Sequence, residues 1–371
     1  MNKIETIVIR QSVKKERIIL ARESRGLLQG ELAKAVGVSQ GKISKMEGGF
    51  LDVSEENLNR LSKTLGYPRE FFLEFTEIYP LGLNYYRKNI KIPVRLFKSI
   101  EAFVNLRRSE IEKLLQSVDM DFERATPYCD IEDEKYGTPE IIARSLRKFW
   151  KIPRGRIGNM TELLESAGIL VIPCDFGTKE FSGVSTWTKD GIHLIFINRK
   201  MPGDRMRFTL AHELGHIVMH KLTTETMEVE AHKFASEFLM PSEDIKPQLF
   251  GLTINKLAQL KLHWKVSMSA ILMKANDLGL LKDRQYRYLW YQMGKYGYKT
   301  NEPIEYNVPQ EKPTLLSEMI TTHLKELGFS VNELSSMLLL GEDEFKSIYS
   351  VENKDIKKPI TKLRLISKNV G

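Results

Sequence analysis

The sequence predicts a multidomain protein: an all-α N-terminal domain, then an α+β domain, then a mainly helical C-terminal region. Three observations lead there. The chain has 371 residues, too many for one ordinary core. Short helical patterns with tight turns fill the first seventy residues, and strand patterns appear only in the middle, between Gly168 and Ile197. With 42% apolar and 28% charged residues, the composition is globular rather than disordered or fibrous. The chain divides into 1–70, a linker and amphipathic helix over 71–137, a second domain over 138–303 and a helical tail over 304–371.

Charge and cysteine usage narrow the function classes. A net charge of +8 and a pI near 9.1 favour an anionic partner, nucleic acid first. Cys129 and Cys174 are the two cysteines and form no close pair, which argues against a disulfide framework and excludes a thiolate metal cluster. The stretch Met1 to Leu20 carries Lys14, Lys15, Glu16 and Arg17 and has no apolar centre, so it does not read as a signal peptide. No apolar run approaches the ~18 residues that span a bilayer. The expected setting is the cytoplasm, without a membrane partner.

In the first domain, Leu32, Ala33 and Val36 share one helix face, and Gly37 supplies the positive φ that a tight turn needs. Val38 anchors the turn. Ser39 caps a second helix whose apolar face is Ile43 and Met46. That second helix exposes Gln40, Gly41, Lys42, Ser44 and Lys45, a set suited to the base edges and phosphates of double-stranded DNA. A helical hairpin with a solvated basic face is the plainer alternative.

Beyond Phe71 the chain is aromatic and punctuated by Pro80, Gly82 and Pro93, which marks a boundary. From Val94 to about Asp121, apolar residues recur at helical spacing (Phe97, Ile100, Phe103 or Val104, Ile111, Leu114 or Leu115, Val118). This long helix packs on its own chain or pairs with a second copy. Thr126 to Gly137 reads as a polar loop, and Thr138-Pro139-Glu140 as a helix start. Gly168 to Pro173, Val184 to Thr188 and Ile192 to Ile197 read as strands, the last two joined as a hairpin by Lys189-Asp190-Gly191. His193 alternates with apolar residues and reads as structural.

The densest chemistry lies at His212-Glu213-Leu214-Gly215-His216. Two histidines four apart project from one helix face and can share a metal at about 2.0–2.1 Å each. Glu213, about 100° around from His212, can reach a water at the metal and take its proton. With seven histidines in the chain, a chance HExxH is expected roughly 0.01 times. The next helix carries Glu228 and His232 one turn apart. Glu228 is assigned as third ligand and His232 as the residue that orients His212 or His216, with Glu230 as the alternative ligand. His220 lies one turn too far along the first helix to be a ligand and reads as a helix-end residue or one that supports a ligand from behind. Strand Ile192 to Ile197 is expected to line the cleft and pair with an extended substrate, with Gly183, Ser185 and Trp187 as neighbours. Leu257 to Leu281 reads as two helices around a break, either a packed hairpin or, with Lys256, Lys265 and Lys274, a second DNA contact. The tail from Pro309 is helical in pattern.

Residues 12–68 resemble the Cro-repressor-type (XRE) helix-turn-helix family. That resemblance implies a phosphate contact for Gln29, a major-groove position for Gln40, Lys42 and Lys45, and a homodimer. Residues 138–303 resemble the ImmA/IrrE family of metallopeptidases. The resemblance is carried by Phe181-Ser182-Gly183-Val184, Ile197-Asn198, Arg205 to His220, Phe234-Ala235, Leu239-Met240-Pro241, Leu260-Lys261, Trp264, Val266-Ser267 and Arg287 to Trp290. His232 departs from it, since the family usually carries Asn there. The resemblance implies a gluzincin-like zinc peptidase fold, a Zn2+ cofactor, and a helix-turn-helix repressor as protein substrate. The expected function is therefore a DNA-binding regulator with an active zinc endopeptidase that cuts a repressor or its own linker. The alternative is a non-enzymatic repressor or antitoxin whose zinc domain is a sensor.

Overall fold

The computed structural model describes residues 12–80, 92–131, 137–222, 224–349 and 362–365. The signal-peptide reading at 1–11, parts of the 71–137 stretch and much of the tail beyond 349 lie outside the described residues.

Four helices open the chain: α1 Lys15–Ser24, α2 Gln29–Val36, α3 Gln40–Glu47 and α4 Glu55–Leu65. Local chemistry sets their ends. Gly37 stops α2 at φ +76, and the Ser39 and Ser54 hydroxyls accept the N–H groups of Lys42 and Asn57 at 3.3 Å each. Leu32, Ala33, Val36, Ile43 and Met46 are all buried, as the helix-turn-helix pattern requires.

Helix α5, Val94–Leu114, packs within its own chain. Phe97, Ile100, Val104, Ile111 and Leu114 join one apolar core with Ile18 and Leu20 of α1, Phe71 and Phe72, and Leu315, Met319 and Phe345 of the tail. The helix ends seven residues earlier than its periodicity suggested. Val118–Asp121 is instead a strand, β1, with Val118 and Met120 buried and both aspartates exposed. Val118 fits either period, and the deciding partner is remote: β1 pairs antiparallel with Lys362–Leu365. The tail therefore ends in a strand within the described residues, against the all-helical expectation.

The second domain opens with α6 Pro139–Phe149, where Thr138 Oγ1 accepts the Ile141 N–H at 3.3 Å, and α7 Met160–Ser166. The three strands are β2 Leu170–Cys174, β3 Gly183–Trp187 and β4 His193–Asn198. They lie in the order β2-β4-β3, with β2 parallel and β3 antiparallel to β4. Alternation splits the sheet between two cores. Leu170, Ile172, Leu194 and Phe196 face the core shared with α1 and α5, while Val171, Ile195 and Ile197 face the helices that follow. Those helices are α8 Gly203–Met219, α9 Met227–Leu239, α10 Ser242–Ile245, α11 Ile254–Trp264, α12 Met268–Asp277 and α13 Asp283–Lys295.

The α11–α12 hairpin is a packed support. Lys274 is buried and donates to Glu237 at 2.6 Å, whereas Lys265 caps the Gly158 carbonyl at 2.8 Å and Lys256 that of Phe250 at the surface, so each cation has a partner within the chain. No helix among the described residues is long and apolar enough to cross a membrane.

Three tail helices follow: α14 Leu315–Lys325, α15 Val331–Met337 and α16 Glu342–Tyr349. Buried carboxyls hold them. Glu165 accepts the Thr314 and Leu315 N–H groups at 3.1 Å, and Glu110 on α5 accepts the Tyr349 hydroxyl at 2.6 Å. Burial, outweighing Arg107 at Glu110 and the backbone donors at Glu165, pushes both carboxyls up to about 7. A carboxyl with a raised folded-state pKa contributes stability that is complete below its unfolded value and fades as pH rises through the folded one. Stability should therefore fall between about pH 4.3 and 7. In hydrogen exchange the α14–α16 amides should lose protection over that window, and Glu110→Gln with Glu165→Gln should flatten the dependence.

Candidate metal centre and DNA-reading face

The site is built on the crossing of α8 and α9. Gly215 faces α9 without a side chain, and a Cβ there would meet Phe234 Cδ1 at 3.1 Å and Ala231 Cα at 3.3 Å. This close approach brings Glu228, at the start of α9, to the two imidazoles of α8. His212 Nε2 lies 3.2 Å from Glu228 Oε2, His216 Nε2 lies 3.3 Å from Glu228 Oε1, and the two Nε2 atoms are 3.1 Å apart.

These separations test whether a metal fits. Three donors at 2.0–2.1 Å from a tetrahedral centre stand about 3.3–3.4 Å apart, near the spacing found here. Two nitrogens and a carboxylate form a donor set that zinc accepts. Glu228 Oε1 is buried and has no hydrogen-bond partner among the described residues, although His216 Nε2 is close by. Such an orientation suits a shared cation better than a hydrogen bond. Burial would raise the Glu228 carboxyl, but the adjacent His212 and His216 imidazoles outweigh it and hold it below the ordinary carboxylate range.

Behind His216 runs a short relay. Its Nδ1 is 3.0 Å from His220 Nδ1, and His220 Nε2 is 2.9 Å from Glu230 Oε2. A carboxylate only accepts, so His220 donates from Nε2 and accepts the His216 Nδ1–H. The His216 Nε2 lone pair is then left pointing at the donor cluster. Glu230 thus sits at the far end of the relay, outside the cluster of His212, His216 and Glu228. His232 requires a correction. It makes no hydrogen bond to either imidazole among the described residues, and its ring packs at 4.8 Å on Phe208, beside a different cavity. The position expected of it is taken by His220, because the relay follows α8 rather than crossing from α9.

Glu213 is 2% exposed to bulk solvent and lines a cleft of about 600 Å³ together with His216 and His220. Val184, Ser185, Thr186 and Trp187 of β3 line the same cleft. Here too an expectation changes. Strand β4 is paired on both sides, so the edges of the sheet among the described residues are β2 and β3, and β3 is the one at the cleft. Gly183 lies away from the cleft lining, against Phe196 and Thr209.

Sequence reasoning missed three contributors. His193 lines the cleft with an unpartnered Nδ1, and burial pulls its imidazole below the usual range. Its period-2 position was legible, but whether that face was core or cleft was not. Tyr79 and Tyr128 also line it from outside the matched strands and helices. Aromatic clustering after Phe71 was the one signal for Tyr79, and Tyr128 fell in the Thr126 to Gly137 stretch read as a polar loop.

Two members of the candidate DNA-facing set, Gln29 and Gln40, are tied to a buried carboxylate. Arg22 holds Glu47 at 2.6 Å, Gln29 Nε2 donates to Glu47 at 2.8 Å, and Gln40 Nε2 donates to Gln29 Oε1 at 3.1 Å. Ser39 is used as the cap of α3. The side chains of Lys42, Ser44 and Lys45 make no ion pair or hydrogen bond among the described residues, and Ser44 and Lys45 are exposed. Phe50, 85% exposed in the loop after α3, adds an apolar tip that the sequence did not single out.

Comparison with known proteins agrees with this geometry. No curated protein matches the chain. Residues 18–72 match the family model of the helix-turn-helix, and residues 164–276 match that of the IrrE N-terminal-like domain, a peptidase family. One polypeptide therefore joins a DNA-binding helix-turn-helix segment to an IrrE-like metallopeptidase-family segment.

Proposed function

We propose that this chain is a cytoplasmic transcriptional regulator, docking on duplex DNA as a homodimer through its helix-turn-helix, whose second domain is a zinc-dependent endopeptidase. The supporting observation is the near-tetrahedral spacing of His212, His216 and Glu228 beside the buried carboxylate of Glu213. Residues 1–70 and 138–303 are taken as the two functional units, with 71–137 and 304–371 as the packing that joins them. The substrate is a helix-turn-helix repressor or a segment of the chain itself.

A zinc ion held by the three donors supplies Lewis acidity toward a peptide carbonyl and its attacking water. Glu213 accepts that water's proton and returns it to the leaving amine. The unpaired edge of β3 offers backbone groups to an extended peptide, which sets the scissile bond over Glu213. His220 and Glu230 keep the proton of His216 on Nδ1, so that Nε2 stays a ligand. Gln40, Lys42, Ser44 and Lys45 face the major groove, Gln40 toward base edges and Lys45 toward a flanking phosphate, while Gln29 and the Ser39 turn approach the backbone.

Elemental analysis of purified protein should find one zinc per chain, and Glu228→Ala should lose it. Glu213→Gln should keep the metal but cut hydrolysis of a trapped repressor substrate about 10²–10⁴-fold. Zinc retention without any cleavage by the wild type would sink the enzymatic half and leave a sensor. His220→Phe should weaken zinc binding about 10–100-fold in chelator competition, while His232→Asn should leave it near wild type.

On duplexes selected from a random pool, Lys45→Ala should weaken binding uniformly and lower the salt slope by about 1. Gln40→Ala should instead relax selectivity at one position, at a cost of about 1–3 kcal/mol. Fluorescence anisotropy at several salt concentrations separates the two, and equal behaviour of both variants would undo this division of roles.

A further inference from the structure

Asn105 on α5 is 1% exposed, and most of its amide is committed to one residue. Its Oδ1 accepts the Tyr79 N–H at 2.9 Å, and its Nδ2 donates to the Tyr79 carbonyl at 3.1 Å and to the Glu101 carbonyl at 3.0 Å. Further along the helix, Arg108 donates to the Glu77 carbonyl and lies 3.7 Å from the centre of the Tyr79 ring. The side chain of Asn105 therefore pairs with Tyr79 much as a neighbouring strand would, and the backbone there is fixed.

Tyr79 and Pro80, so held, line the same cleft as Glu213, His216 and Trp187. The helix that pins them also holds the cleft's edge-strand hairpin: Glu112 accepts from Arg108 at 3.0 Å and from the Lys189 N–H in the β3–β4 turn at 2.9 Å. The same α5 packs on α1 of the helix-turn-helix. One helix thus supports the DNA-reading half and two parts of the cleft.

We propose that Tyr79 and Pro80, supplied by the stretch leading out of the DNA-reading half, recognise a substrate side chain in the peptidase cleft, with Asn105 as their positioning residue. This rests on the peptidase reading above and adds a substrate class to it. Val184, Trp187, Leu222, Met227 and Tyr128 make the rest of the lining largely apolar or aromatic, and Trp187 and Leu222 are exposed. An extended peptide with a large aromatic or aliphatic side chain beside the scissile bond would cover them and half-buried Tyr79 together. Specificity is then not a property of residues 138–303 alone.

Two peptidyl hydroxamates of equal length, one with Phe and one with Gly beside the hydroxamate, test this by calorimetry on the zinc-loaded full chain. The wild type should prefer the Phe probe by about ten-fold or more. Tyr79→Ala should bring that ratio toward unity, and Asn105→Leu should do the same by releasing the strap. If Asn105→Leu does not fold, Asn105→Asp removes the donors to the Tyr79 and Glu101 carbonyls while keeping an acceptor for the Tyr79 N–H, and should lower the ratio in part. An unchanged ratio in Tyr79→Ala overturns the proposal, including the case in which both probes weaken equally. If neither probe binds wild type whose zinc content has been verified, the peptidase reading itself fails and takes this inference with it.

Discussion

The approach of α8 to α9 at Gly215 is the contact on which the candidate chemistry depends. Glu228 is sixteen residues from His212 in sequence, and its carboxylate reaches both imidazoles only because the helices cross where one has no side chain. The crossing is secured along the C-terminal half of α9. Phe234 and Phe238 stack at 5.4 Å in the core beneath α9, and the buried Glu237 is neutralised by Lys274 from α12. An exposed pair would contribute little; a buried one fixes the helix, because either charge alone would be stranded in the interior. The α11–α12 hairpin therefore acts on the site by holding α9 in place.

A second constraint is the small sheet, which is apolar on both faces and so must be covered twice. The helices of the second domain cover one face. The other receives a core built from α1, α5 and the tail, so the DNA-reading half and the peptidase-like half share a sheet rather than hang on a tether. Buried carboxyls complete the closure, with Glu165 capping the entry to α14, and Glu311 accepting the Met160 and Thr161 N–H groups at 2.8 and 2.9 Å while pairing with Arg207. Such an arrangement gives a physical path by which occupancy of one half can bias the other, since α5 contacts both.

Local signals carried much of this. The turn at Gly37, the caps at Ser39 and Thr138, the hairpin at Lys189-Asp190-Gly191 and the HExxH helix each follow from residues within a few positions, and each stands where the sequence put it. The errors share one cause. Val118 satisfied a helical period until a strand more than two hundred residues away claimed it. The choice between β3 and β4 as edge strand depends on which side β2 takes, and no residue of either strand encodes that alone. His232 was placed by helical geometry on the correct helix, but its ring turned to Phe208 because His220 already occupied the proton-bearing side of His216.

By itself the sequence determined the kinds of element, the turn and cap between α2 and α3 and the pairing of His212 with His216, because these depend on spacings of four residues or fewer along a single helix or turn. Only the tertiary structure decided that Glu228 rather than Glu230 joins them, that β3 carries the free edge, and that Tyr79 enters the cleft. Each of those outcomes is fixed by contact between segments far apart in the chain, where burial and close packing choose among alternatives that local periodicity leaves equal.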